Sequence, residues 1–263
     1  MIPTPPTLEQ TQRFEVEMLT PEDLPNIDNL VTEDDTPVDN LFSAKQQRLL
    51  VESLYSSWAG PGEGRPFLAD SNVGVFYSVR EPPLVPDAFL SLDVRAPADP
   101  WPKRNRSYFI WEYGKPPDVV IEVVSNREGK EAGRKKRLYE RMGVIYYVIY
   151  DPLEQLGPER LQVFELHAGV YVAIDPPWLP EVGLGLQVWH GVYQDMEDDW
   201  LRWYDREGNI ILTGAERAEQ ERQRAEQERQ WAEQEHQRAE QERQRAERLA
   251  AQLRALGVEP QSD

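Results

Sequence analysis

Three residues have the types that hydrolysis of a phosphate ester asks for: Asp87, Glu122 and Lys135. Two carboxylates brought together from neighbouring strands can share a hard divalent cation. Such an ion lowers the pKa of a bound water and neutralises charge gathering on a phosphate oxygen. A lysine beside them can orient the water or stabilise that same charge. Asp87 follows Pro86 at the head of LVPDAFLSLDV, Glu122 lies inside PPDVVIEVVS, and Lys135 falls in the segment GKEAGRKKRLYERMG that comes next. Each also has a plainer reading, since Pro-Asp before a strand is a common turn signal and a basic helix is most often a solvated face.

The element around Glu122 makes the strongest demand. The run from Pro116 alternates, so Asp118, Val120, Glu122 and Val124 share one side of a strand and Val119, Ile121 and Val123 the other. A lone carboxylate in such a strand costs several kcal/mol unless it is protonated, paired with a cation or bound to a metal. Asp118 shares the face, but a rise of about 3.3 Å per residue puts it roughly 13 Å from Glu122, too far for one metal. Its expected role is to cap the strand entrance after Pro116-Pro117. Beyond Ser125 the pattern becomes a polar helix carrying Arg127, Lys130, Arg134, Lys135, Lys136, Arg137 and Arg141, with Leu138 and Met142 at helical spacing. An apolar strand from Val144 to Tyr150 follows, ended by Asp151-Pro152.

Composition narrows the partners. The 263 residues contain no cysteine and three scattered histidines, His167, His190 and His236, so a thiolate zinc site is excluded and a histidine site is disfavoured. Any metal would be held by oxygen, meaning magnesium or manganese. The net charge of -18 argues against general attraction to nucleic acid. From Gly214 onward there are 9 Lys+Arg against 12 Asp+Glu, which leaves the preceding body with 20 against 35, so the acidity is not confined to the tail. A nucleic-acid contact must then use local patches: the helix after Ser125, and Lys103, Arg104, Asn105 and Arg106. No run approaches the roughly 18 apolar residues of a membrane helix, and MIPTPPTLEQTQ has no secretory pattern, which points to the cytoplasm.

Residues 1–42 are acidic and proline-rich and read as an extended arm, with Phe14, Val16 and Leu19 able to lie over the body. A helix is expected from Ser43, as N-cap, to Ser57, followed by a Gly/Pro loop. Strand signals cover Phe67 to Ala69, Val73 to Val79, Asp87 to Val94 and Tyr108 to Glu112. RLQVFELHAGVYVAI reads as a hairpin turning at Ala168-Gly169, and further strands are expected at Gly185 to Val188, Leu201 to Tyr204 and Asn209 to Leu212. The body is therefore a mixed α/β domain. From Glu216 the sequence repeats every seven residues, with alanine at 218, 225, 232, 239 and 246. This predicts one helix over 214–256, about 60 Å long, supported by pairs such as Arg217/Glu221, Arg222/Glu226, Arg224/Glu228 and Arg243/Glu247. It is either a solvated lone helix or an alanine-seamed coiled coil joining a homodimer or another partner. Residues 257–263 are expected to be disordered.

LVPDAFLSLDV, PPDVVIEVVS, KKRLYERMGVIYYVIYDP, LGLQVWHG and LRWYDREGNIIL, with the heptad-like tail, resemble the bacterial Uma-two endonuclease family. That family belongs to the PD-(D/E)XK, or restriction-endonuclease-like, nuclease superfamily. The resemblance covers roughly residues 43–213. It implies a restriction-endonuclease-like mixed β-sheet core flanked by helices, and a magnesium- or manganese-dependent DNA endonuclease with Asp87 and Glu122 as metal ligands. The lysine usual two residues after the glutamate is replaced by Val124, and Lys135, four residues before Tyr139, takes its place to position the water. Lys103, Arg104, Arg106, Arg134 and Lys136 would contact phosphates, and Glu52, Ser125 and Tyr139 are secondary candidates. Relatives commonly read Glu-Tyr-Trp where this chain has Tyr146-Tyr147-Val148. The alternative is an inactive nuclease-like scaffold that recruits partners through the C-terminal helix, favoured by the acidic body and by Val124.

Overall fold

The computed structural model describes residues 40–62, 64–125 and 131–255, with only the backbone of 131 and 132. Phe14, Val16, Leu19 and the rest of the expected arm before Asn40, Arg127 and Lys130 of the basic segment, and the tail after Ala255 lie outside the described residues. The chain divides into two compact units, one built on Arg65–Pro177 and the other on Lys45–Gly64 with Trp178 onward.

The first unit is a six-stranded sheet in the order β1, β3, β5, β6, β7, β8. Its strands are β1 (Phe67–Asp70), β3 (Ala88–Leu92), β5 (Val119–Val123), β6 (Tyr146–Tyr150), β7 (Leu161–His167) and β8 (Val170–Ala173). Only β5 and β6 run parallel; every other neighbour pair in this sheet is antiparallel. A parallel pair needs a crossover, and the basic segment supplies it as a π-helical turn at Glu131–Lys135 leading into α3 (Lys136–Met142). Val120, Val124, Tyr139, Tyr147, Ile149 and Tyr171 build an apolar cluster on one face of the sheet, and Phe89 belongs to it. The register sets Phe89 across from Val120, Val120 from Tyr147 and Glu122 from Ile149, so Glu122 emerges on this same face.

Two expected strands are shorter than their patterns. Val73 to Val79 contracts to β2 (Val75–Phe76), because Val75 exchanges both backbone hydrogen bonds with Leu84, just after Pro82-Pro83. Tyr108 to Glu112 splits into β4 (Tyr108–Phe109), parallel to β2, and a helical turn, α2 (Ile110–Tyr113). Gly114 ends that turn at φ 75°, a left-handed conformation that suits glycine.

In the second unit, α1 (Leu41–Ser57), which crosses into it at Lys45, belongs with the antiparallel strands β9 (Trp178–Leu179), β10 (Leu184–Tyr193) and β11 (Met196–Tyr204) and with α4 (Gly214–Ala255). The α1 cap is Asn40 rather than Ser43: the Ser43 N–H donates to Asn40 Oδ1 at 2.9 Å, while Ser43 Oγ is buried without a hydrogen-bond partner among the described residues. Gln46 bonds both backbone groups of Leu201, and the Trp203 indole N–H donates to the Leu50 carbonyl at 3.0 Å. Asn209 to Leu212 forms one isolated bridge, Ile210 to Tyr204, instead of a strand, because the Asp205 carboxylate gathers the Asn209 amides into a tight turn.

The 42 residues of α4 make a helix about 63 Å long at 1.5 Å per residue. It begins with a capping box: the Glu216 N–H donates to Thr213 Oγ1 and the Thr213 N–H to Glu216 Oε2. Glu216 also receives both terminal nitrogens of Arg202, a side chain only 1 % exposed. Arg217 pairs with Glu221 and Arg243 with Glu247, as expected. Arg222 instead turns back to Glu219, and Glu226 is met by Arg229, because three-residue pairs compete with four-residue pairs on an exposed face.

Candidate active site

The site is assembled on Glu122, which is 1 % exposed near the end of β5. Its two oxygens have different partners. Lys135 Nζ lies 2.7 Å from Oε2, and the Tyr139 hydroxyl donates to Oε1 at 2.8 Å. The two residues come from one turn of helix: a spacing of four puts Lys135 and Tyr139 on one face, and the crossover lays that face over the sheet. Asp87 stands one position before Ala88, whose partner Ile121 precedes Glu122, so it lies at the end of the β3–β5 ladder, where its charge acts on the Glu122 carboxyl. Asp87 Oδ2 accepts the Val123 N–H at 2.6 Å, which ties the loop entering β3 to β5.

Burial is the dominant influence on Glu122. It pushes the carboxyl up to about 8, opposed by the Lys135 ammonium and reinforced by the negative charge of Asp87. The Tyr139 phenol is raised far above its ordinary range by its own burial and by the same carboxylate, so it stays protonated and acts as a donor. Near neutral pH, then, Glu122 has too little positive charge nearby to hold a full negative charge comfortably. Lys135 is 28 % exposed along its side chain, so its ammonium touches both the buried acid and water.

Other candidates separate. Arg104, Arg106 and Arg134 are exposed, and Lys103–Asn105 form a 3₁₀ turn. The Lys136 ammonium lies 3.4 Å above the Phe164 ring, a cation–π contact directed at β7, and burial lowers its pKa. Ser125 is exposed and its carbonyl accepts the Gln155 amide at 3.2 Å; the segment it was expected to cap begins outside the described residues. Glu52 belongs to the second unit, where it accepts the Tyr193 hydroxyl at 3.1 Å and the Gly214 N–H at 3.2 Å. Asp118 is buried and accepts the Leu92 N–H at 2.7 Å and the Lys115 ammonium at 2.6 Å, joining β5 to the end of β3. Tyr146 points to the opposite face from Glu122 and donates to Glu165 at 3.1 Å. One group the sequence does not single out is Asp151, just after β6: fully buried, it takes the Leu156 N–H on Oδ2, while Oδ1 has no hydrogen-bond partner among the described residues. The Asp-Pro pair marked only a strand end.

The family model Uma2, described as "Putative restriction endonuclease", matches residues 31–190. The chain belongs to the Uma2 family. The match takes in both sheet strands that bring Asp87 and Glu122 together and the helix bearing Lys135 and Tyr139, and it stops within β10, before α4. A search of curated proteins finds no match. The mixed sheet with its flanking helices has a restriction-endonuclease-like fold, and the long terminal helix follows it beyond the matched residues. No helix among the described residues is long and apolar enough to cross a membrane.

Among the described residues no three His, Cys, Asp or Glu side chains gather to hold a metal ion. A pair of carboxylates still fits a hard divalent cation of the magnesium type, which keeps several waters and takes one or two carboxylates with the rest from substrate phosphate. The raised Glu122 carboxyl is the physical reason for the fit: a buried acid facing a second acid gains from added positive charge.

Proposed function

We propose that this Uma2 protein is a metal-dependent DNA endonuclease whose site is Asp87, Glu122 and Lys135. The observation that carries the reading is the buried Glu122, clasped by Lys135 at 2.7 Å and Tyr139 at 2.8 Å beside Asp87. A structural ion pair gains nothing from a second acid nearby, whereas a divalent cation can be shared by the two. Asp87 and Glu122 would hold magnesium or manganese, which when bound supplies Lewis acidity and lowers the pKa of a coordinated water. Lys135 donates N–H to the attacking water or to a non-bridging phosphate oxygen, with Glu122 fixing its direction. Tyr139 keeps the Glu122 carboxylate in one rotamer. The water oxygen bonds to phosphorus as the phosphorus–oxygen bond to the leaving strand breaks; the water releases a proton and the leaving oxygen gains one. Arg104, Arg106 and Arg134 present cations to the phosphates.

The test is cleavage of plasmid DNA with magnesium, manganese or chelator, by wild type and by Glu122→Gln and Asp87→Asn. Cleavage should need the metal and fall by at least about a hundredfold in either variant. Glu122→Gln that cleaves like wild type overturns the reading. The net charge of -18 favours a second reading, a binding module without catalysis. Calorimetry separates the two, because such a module has no need of magnesium affinity at these acids.

A further inference from the structure

A cavity of about 570 Å³ lies in the first unit, and Phe89 forms part of its wall. Phe89 is two residues along the chain from Asp87, which stands just before β3 begins at Ala88, so the cavity wall and the acid belong to one short stretch of chain. Asp70 of β1, directly across from Phe89, also borders the cavity. Aromatic rings are among its lining: Tyr108, which is buried, stacks on Tyr113 at 4.3 Å and 12°, and Trp101 has 77 % of its surface exposed.

The Trp101 backbone is pinned. Its N–H donates to Asp99 Oδ1 at 3.1 Å, its carbonyl accepts Arg106 Nε at 2.8 Å, and Asn105 Nδ2 donates to the Asp99 carbonyl at 2.6 Å. An indole of this size held in water by its own loop makes little contribution to the core. It is instead a flat surface offered to a flat ligand, with a guanidinium beside it. Single-stranded nucleic acid is held in this way, base face on an aromatic ring and phosphate at a cation. The volume lies within the roughly 300–1,000 Å³ of small-ligand sites.

We propose that this cavity receives one unpaired nucleobase of the strand whose phosphate lies at Glu122, making the substrate a single-stranded or frayed stretch in preference to continuous duplex. The inference rests on the site acting on nucleic acid. Asp70 at its border is an acceptor for a base amine.

Binding is measured by fluorescence anisotropy in chelator, with a short fluorescein-labelled single strand and the same sequence as a duplex. The full chain is used as wild type, Trp101→Ala and Trp101→Phe, each also carrying Glu122→Gln. The single strand should bind tighter than the duplex, Trp101→Ala should weaken it by about tenfold or more, and Trp101→Phe should restore most of that loss. Equal affinity for strand and duplex, unchanged binding by Trp101→Ala, or no binding by wild type each overturns the inference. Because the readout is binding, the two failures are distinct. Metal-dependent cleavage with a Trp101→Ala variant that binds normally removes the cavity and leaves the nuclease. Trp101-dependent binding with no cleavage under any metal does the reverse.

Discussion

Replacing Glu122 by Gln should make the metal-free protein more stable at alkaline pH. The carboxyl ordinarily titrates at 4.5 and is pushed up to about 8 by burial in the folded chain. Below pH 4.5 it is protonated in both folded and unfolded states, so wild type and variant differ little. Between 4.5 and about 8 the unfolded chain has lost the proton and the folded chain has kept it. The folded state then binds more protons, and stability falls as pH rises, by about 1.4 kcal/mol per unit. Over about 3.5 units the accumulated cost is at most about 5 kcal/mol, after which the curve flattens. Gln cannot ionise, accepts the same Tyr139 hydrogen bond and leaves Lys135 with its existing access to water. The assay is urea unfolding in chelator from pH 4 to 9, with the difference between wild type and Glu122→Gln plotted against pH. A gap that grows with pH in favour of Gln, in a variant that has lost cleavage, identifies an acid kept at a cost to stability. Parallel curves across the range would refute the argument, since they would mean that Glu122 ionises as easily in the fold as in water.

Tyr139→Phe should cost about 1–3 kcal/mol in unfolding experiments, because it leaves a buried Glu122 oxygen without its donor, and should move the midpoint of the wild-type pH slope upward; an unchanged midpoint counts against the hydrogen bond. In the second unit, burial alone would raise the Glu216 carboxyl, but Arg202 and the Thr213 N–H outweigh it and hold the pKa below the usual range. Its contribution is therefore complete above about pH 4.5 and is lost as pH falls through the lower folded value. Glu216→Gln should destabilise by about 3 kcal/mol near neutral pH by leaving the buried Arg202 uncompensated, with the gap to wild type closing in acid; a pH-independent gap would show that capping alone is involved. Trp231, Leu249 and Leu253 are exposed along α4, and a chain cut after Glu221, which keeps the Arg202–Glu216 pair, should sediment as a smaller assembly than the full chain. Equal stoichiometry would remove the coiled coil.

The parts of the chain that declare themselves locally were legible before any coordinates. Period-two alternation marked β5, the Ala168-Gly169 turn marked the β7–β8 hairpin, and seven-residue repetition marked α4, because each is a pattern of neighbours along one element. Glu122 announced itself for the same reason, as a charge inside an apolar run. The pairing of that charge could not be read in this way. Nothing local says that Asp87 lies close enough to Glu122 to act on its charge, that Lys135 and Tyr139 divide the two Glu122 oxygens between them, or that Glu52 belongs to the other unit. Those facts depend on strand order and on where the crossover helix lands. The cavity between Phe89 and Trp101 is the clearest case. Its walls come from β1, β3, β4, α2 and a proline-rich loop, separated by up to several tens of residues. Their meeting around one cavity, with the exposed Trp101 ring among its lining, exists only once the sheet has brought them together.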